Sequence, residues 1–259
     1  MARHIEAWMD GVRLSSLGRI LIHDVDEPAA DQEITYGNRS VRGGKDVLVS
    51  RRGVLRVTIE AVVFELFDLS RRREAQQAIA EWANGSILEL SNHPGQQLHV
   101  RKRGDPALGS VRDFNSKINI ELEAAEIPYW EETITNKATG SGSSGSASLF
   151  LSGNADEIPV NAVFTPTGGT LTGLTVTVSC GGVTRSIQLS GISVGTSSAV
   201  VFGRDGHDRL TIKAGSTSLM RYRTQASADE LILPHGKATV SWSANVAGSI
   251  EFSAKGRWL

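Results

Sequence analysis

Residues 138–148 read ATGSGSSGSAS, eleven positions with neither a charge nor a large side chain. Such a stretch buries too little apolar area to offset the entropy of ordering its backbone. The composition predicts a flexible linker with a mean span of about 18 Å, from 5–6 Å × √n. It is equally the composition of an artificial spacer. A chain of 259 residues is long for one domain and comfortable for two. The run therefore predicts a first domain over 1–137, a linker over 138–148 and a second domain over 149–259.

The two sides differ in character. Residues 1–137 hold 18 Lys/Arg and 21 Asp/Glu, net −3, whereas residues 138–259 hold 9 and 7, net +2. Charge density falls across the run while Ser, Thr and Gly rise, as at a domain boundary. The overall formal charge of −1 supplies no global field toward nucleic acid or membrane. A single cysteine, Cys180, excludes an internal disulfide and points to a reducing compartment. The start, MARHIEAWMDG, has no apolar signal-type segment, and no run of 18 apolar residues suggests a membrane span.

The first half reads as strands around one helix. Residues 3–8 and 17–23 suit short strands, and 33–37 with 45–65 suit a long hairpin whose polar loop, GNRSVRGGKD, should protrude. In DLSRRREAQQAIAEWANG, residues 68–85, Ala75, Ala78, Ile79 and Trp82 fall on one helical stripe. Asp68 or Ser70 can cap its start, and Gly85 stands where a C′ glycine belongs. Two strands then flank the turn Asn92-His93-Pro94-Gly95. In KINIELEA, residues 117–124, Ile118, Ile120, Leu122 and Ala124 alternate with polar residues. The second half reads as strands only, from VNAVFT to SIEFSAKGRW, separated by Gly and Pro turns, which predicts an all-β sandwich.

Little of this suggests catalysis. No G-x-S-x-G, H-E-x-x-H, phosphate loop or G-x-G-x-x-G occurs, and the six histidines show no metal-ligand spacing. The acidic stretch HDVDEPAAD, 23–31, lacks the spacing and turn glycine of a calcium loop and reads as a solvated loop. RDGHD, 204–208, could be a metal or general-base cluster but reads better as a hairpin turn, since Asp-Gly supplies positive φ. The basic runs Arg51-Arg52, Arg71-Arg72-Arg73 and Arg101-Lys102-Arg103 have no interleaved aromatics to stack bases. Arg71, Arg72 and Arg73 oppose the dipole of their own helix, which suggests contact with carboxylates of a neighbouring subunit. No enzyme activity, cofactor or metal is expected.

The order of features resembles the distal tail protein (Dit) family of siphophages. The carrying residues are Gly11 to Gly18 (G-x-x-L-S-S-L-G), the Pro128-Tyr129-Trp130 segment closing the first domain, and Gly153, Asn154 and Pro159 opening the second. Leu231-Ile232-Leu233-Pro234 comes near the end; His235 intrudes before Gly236, and Ala238 or Thr239 stands where the family has Asn. The resemblance implies a mainly β fold. The first domain would be a β-sandwich or split-barrel-like ring-forming unit with one helix and a long β-hairpin; the second would be a peripheral, galectin-like sandwich. It implies a virion protein at the distal end of the tail: a homo-hexameric hub between tail tube and baseplate or tail tip. Tube, tape-measure and tail-tip proteins would be its partners, and DNA would pass its lumen without specific binding. The long hairpin would pair edges between subunits, sheltering the apolar run VLRVTIEAVVFEL. A sugar-stacking role for Trp242 is not expected, because a galectin site's polar partners are missing around it. A carbohydrate-binding adhesion module and a tail-tube subunit are the alternatives.

Overall fold

A computed structural model describes residues 5–28, 30, 32–38, 45–110 and 114–259, with 32–38 and 45–51 described by backbone alone. The protein is mainly β, and the chain divides into two compact units: 1–130 with Leu259, and 131–258.

In the first unit, β1 (Ala7–Met9) turns through Asp10-Gly11 into β2 (Val12–Arg13). Both turn residues have positive φ, 49° and 79°, as a two-residue hairpin of this twist requires. The Asp10 carboxylate accepts from the Ile87 N–H at 2.9 Å, tying this turn to β7 (Ile87–Leu90), which pairs β1 and then β8 (Gln96–His99).

A second antiparallel sheet runs β3 (Ile20–Asp26), β6 (Leu55–Val63), β10 (Ser116–Ala124) and β9 (Arg101–Lys102). The alternation expected over 117–124 is present: Ile118, Ile120, Leu122 and Ala124 are buried, and Lys117, Asn119 and Glu121 are exposed. Each fully buried Ile or Leu contributes roughly 1.5–3 kcal/mol. Strand β3 starts and ends three residues later than expected, because Leu17 closes a 3₁₀ turn and pairing with β6 continues to Asp26.

The hairpin expected over 33–65 is shorter. It consists of β4 (Gln32–Asn38) and β5 (Lys45–Arg52), while its loop residues 39–44 lie outside the described residues. The chain breaks at Gly53-Val54, and β6 then pairs β10 along nine residues and β3 on its other side. Both edges of this long apolar strand are thus paired inside its own chain, without a neighbouring subunit.

Helix α1 (Leu69–Trp82) is capped by Asp68, whose side chain accepts from the Arg71 N–H at 2.8 Å. Ile79 and Trp82 are buried, with Ala75 and Ala78 half-buried beside them. The Trp82 Nε1–H donates to the Val12 carbonyl at 2.7 Å. Gly85 is needed for close approach rather than for a left-handed cap: a Cβ there would meet the Met9 and Asp10 side chains.

The second unit holds β11 (Trp130–Leu151, beginning one residue earlier), β12 (Ile158–Pro159), β13 (Asn161–Pro166), β14 (Leu171–Cys180), β15 (Val183–Val194), β16 (Val200–Arg204), β17 (Leu210–Ala214), β18 (Thr217–Ser218), β19 (Ile232–Leu233) and β20 (Gly236–Trp258). The run 138–148, expected as a linker, lies wholly within β11, so the observed boundary is at 130/131. Its order comes from folding back. Ser152 donates to Glu132 at 2.6 Å and accepts from Asn136 at 2.9 Å, whereas sixteen residues of straight strand would span about 50 Å. Gly142, with φ 111°, sits midway along β11.

β20 doubles back too. Trp242 and Phe252 are ten residues apart, about 33 Å if straight, yet their rings are 6.3 Å apart. Residues 239–244 pair β14 and residues 248–253 pair β13. The sandwich core includes Phe164, Phe202 and Phe252, with Trp242 at its margin.

Candidate assembly and channel surfaces

The outer face of the β3–β6–β10 sheet carries acidic residues in its central rows, between Arg56 at one end and Lys117 at the other. Asp24 stands directly opposite Glu60, Asp26 opposite Thr58, and Thr58 opposite Glu121 on the far side. Like charges facing across a sheet cost about 0.2–1 kcal/mol. Among the described residues, Asp24, Asp26 and Glu60 have no ion-pair partner, and Glu121 meets Arg103 at 3.8 Å. Asp24, Asp26 and Glu121 are exposed, and Glu60 is half-buried. A bulge between Ile22 and Asp24 and the two Asp residues blunt the outer edge of β3.

The acidic stretch 23–31 is accordingly part strand. Its Glu27 is held by the β7–β8 turn, with Oε2 2.9 Å from His93 Nε2; Asp31 lies outside the described residues. No cluster of three or more potential metal ligands occurs among the described residues.

The arginine turn sits at the start of α1. Arg71 and Arg73 are exposed, and Arg71 lies 3.8 Å from Glu74. Arg72 is half-buried, its Nε without a partner among the described residues. The carboxylate of Asp68 balances part of the dipole misfit locally. Alongside lies an exposed aromatic pair, Phe67 and Phe114, with ring centroids 5.3 Å apart, and Leu69 is exposed next to it. Periodicity gave no signal for this patch, because Phe67 and Phe114 fall outside regular elements. In the third basic run, Arg101 pairs Glu123 at 2.7 Å and Lys102 pairs Asp105 at 2.6 Å. In the first, Arg52 lies over the Tyr129 ring.

RDGHD forms the β16–β17 turn, with the Asp208 N–H donating to the Asp205 carbonyl at 3.1 Å. The sequence reading missed what Asp208 does next. Its Oδ2 lies 2.9 Å from Arg257, which also meets Glu131 at 2.8 Å and donates to the Glu157 carbonyl at 3.1 Å. Arg257 is 2% exposed. Burial raises the Asp208 pKa above its ordinary value, outweighing the opposing pull of Arg257. One buried guanidinium thus joins the first and last strands of the second unit to a hairpin turn.

Two of the resembling segments also meet. Ile158 pairs Leu233 and Pro159 pairs Ile232, and Gly153 bridges Arg257 so closely that a Cβ would strike its backbone. Trp242 is buried against Gly140 and Gly145 and offers no face for a sugar.

No protein-family model and no curated protein matches the sequence. Among solved structures, the fold is similar to that of the SPP1 Dit protein, with a TM-score of 0.68 and 13% identity over 97% of this chain and 98% of that chain. That protein is described as a paradigm of the hub adsorption apparatus in phages infecting Gram-positive hosts. The phage P2 baseplate, activated with Ca, aligns at TM-score 0.48 and 10% identity over 99% of this chain and 98% of that chain. Its form with Sr aligns at 0.47 and 11%, over 98% of each. The SPP1 likeness bears out the expected Dit fold over nearly the whole chain.

Proposed function

We propose that the protein is a structural subunit of a phage tail's distal hub, forming a homo-hexameric ring between tail tube and baseplate or tail tip. The observation that carries this reading is the shared fold with the SPP1 Dit protein along 97% of the chain. In this reading the first unit closes the ring and the second docks other tail proteins outside it. The central acidic rows of this face, Asp24, Asp26 and Glu60, line the channel, where they weaken phosphate binding so that DNA slides without being held. The retained like-charge pair Asp24–Glu60 fits this reading: it costs stability locally, and blunting the β3 edge requires no second carboxylate at Glu60 on the central strand. Arg71 and Arg73 contact the next copy, with tube, tape-measure and tail-tip proteins above and below. The role is mechanical, with no turnover.

Light scattering with negative-stain imaging of the purified protein tests it. A closed ring of about six subunits is expected, as rotational closure of a heterologous contact produces. A protein that stays monomeric at every concentration, or that grows long tubes, rejects the hub.

A further inference from the structure

We infer that His93 is a proton-operated clasp on Trp130, the last residue of the first unit and the first of β11. The imidazole lies flat on the indole, with centroids 4.2 Å apart and planes within 4°. Nε2 points at Glu27 Oε2 at 2.9 Å, and Nδ1 points at Gln96 Oε1 at 3.2 Å. Both ring nitrogens therefore face oxygen acceptors. Only the imidazolium, a donor at both nitrogens, satisfies the two together. In the neutral ring one nitrogen presents a lone pair to an oxygen, and the clasp must open or the Gln96 amide must rotate.

The groups meeting the ring come from three places. Glu27 follows β3, Gln96 closes the β7–β8 turn, and Trp130 begins β11. Glu27 is the charged group among them, and the Asn92 amide steadies its other oxygen at 3.2 Å. An imidazolium stacked on an indole also gains cation–π attraction that the neutral ring lacks. The hydrogen bond to Glu27 raises the His93 pKa above its ordinary value against the opposing effect of burial. Protonated, the ring ties the end of β3, the turn and Trp130 into one contact. Deprotonated, it loses the cation–π term, and with it a hydrogen bond wherever Gln96 keeps its oxygen toward the ring.

The test is an NMR titration of the His93 ring in the full chain, with amide hydrogen exchange over residues 127–131 corrected for its intrinsic pH dependence. The His93 midpoint should lie above 6.5, the ordinary histidine value. Glu27→Gln should lower it, and Gln96→Glu, which presents an oxygen whichever way it turns, should raise it. Exchange over 127–131 should quicken severalfold as pH rises through the same midpoint and become pH-indifferent in His93→Gln. A midpoint at or below 6.5, or an exchange transition that persists in His93→Gln, overturns the clasp. The wild-type and Glu27→Gln titrations decide the matter even if His93→Gln folds poorly.

Discussion

The indole of Trp242 lies against Gly140 and Gly145, so that a Cβ on either glycine would intrude on its six-membered ring. A Cβ at Gly145 would stand 2.6 Å from Trp242 Cζ2, and one at Gly140 would stand 2.8 Å from Cζ2 and Cζ3. The Trp242 Nε1–H also donates to the Gly142 carbonyl at 3.4 Å. The Gly/Ser run is a fitted surface, and overpacking it has a definite cost. Gly140→Ala or Gly145→Ala should destabilise the second unit by about 1–3 kcal/mol, read as a lowered urea midpoint. Combining Gly140→Ala with Trp242→Leu should recover part of the loss, since residues in contact couple by about 0.5–3 kcal/mol. Full additivity of the two changes would mean that they do not touch.

Arg257 is the largest side chain fully buried among the described residues. Arg257→Met should cost about 3–5 kcal/mol, because Glu131 and Asp208 are then left facing one another without their cation. Denaturant unfolding followed by circular dichroism measures this. A loss below 1 kcal/mol would show that water replaces the guanidinium.

Asp208 makes the pH dependence specific. Burial raises its folded-state pKa above 3.8, so the folded protein takes up a proton more readily than the unfolded chain does. Its stabilising contribution is complete below about 3.8 and is lost as pH rises through the raised folded value. The stability of wild type relative to Asp208→Asn should therefore fall as pH rises above 3.8, measured as paired urea titrations. A difference that grows with pH would mean that attraction to Arg257 outweighs burial.

Arg71 and Arg73 are exposed, and Arg71 meets Glu74 at 3.8 Å. Arg71→Glu with Arg73→Glu should shift unfolding by no more than about 0.5 kcal/mol. The same pair should lower the molar mass seen by light scattering at a fixed concentration. Intact assembly in the doubly reversed protein would remove these arginines from the interface.

The sequence made most of the elements readable where one face is buried and the other wet. KINIELEA alternates cleanly because β10 has that environment, and Ile79 and Trp82 fall on a helical stripe because α1 buries that face beside the 3₁₀ turn at Leu14–Leu17 and Val12. Pairing was less readable. The continuous apolar run of β6 looked like a hairpin arm with an edge to shelter, but only the register shows β3 and β10 on either side of it. The run 138–148 misled for a different reason. Local composition prices its disorder correctly, but Trp242, about a hundred residues away, supplies the packing that orders it. Asp208 was hidden similarly: Asp-Gly announced a turn, and nothing nearby announced Arg257.

Sealing β6 on both sides bears on timing. A long apolar strand of the kind that can seed fibres is closed as soon as a single copy folds, before any second copy is present. A folded copy therefore offers no open β6 edge to a second copy, and the hazard is confined to the interval before β3 and β10 have closed on it.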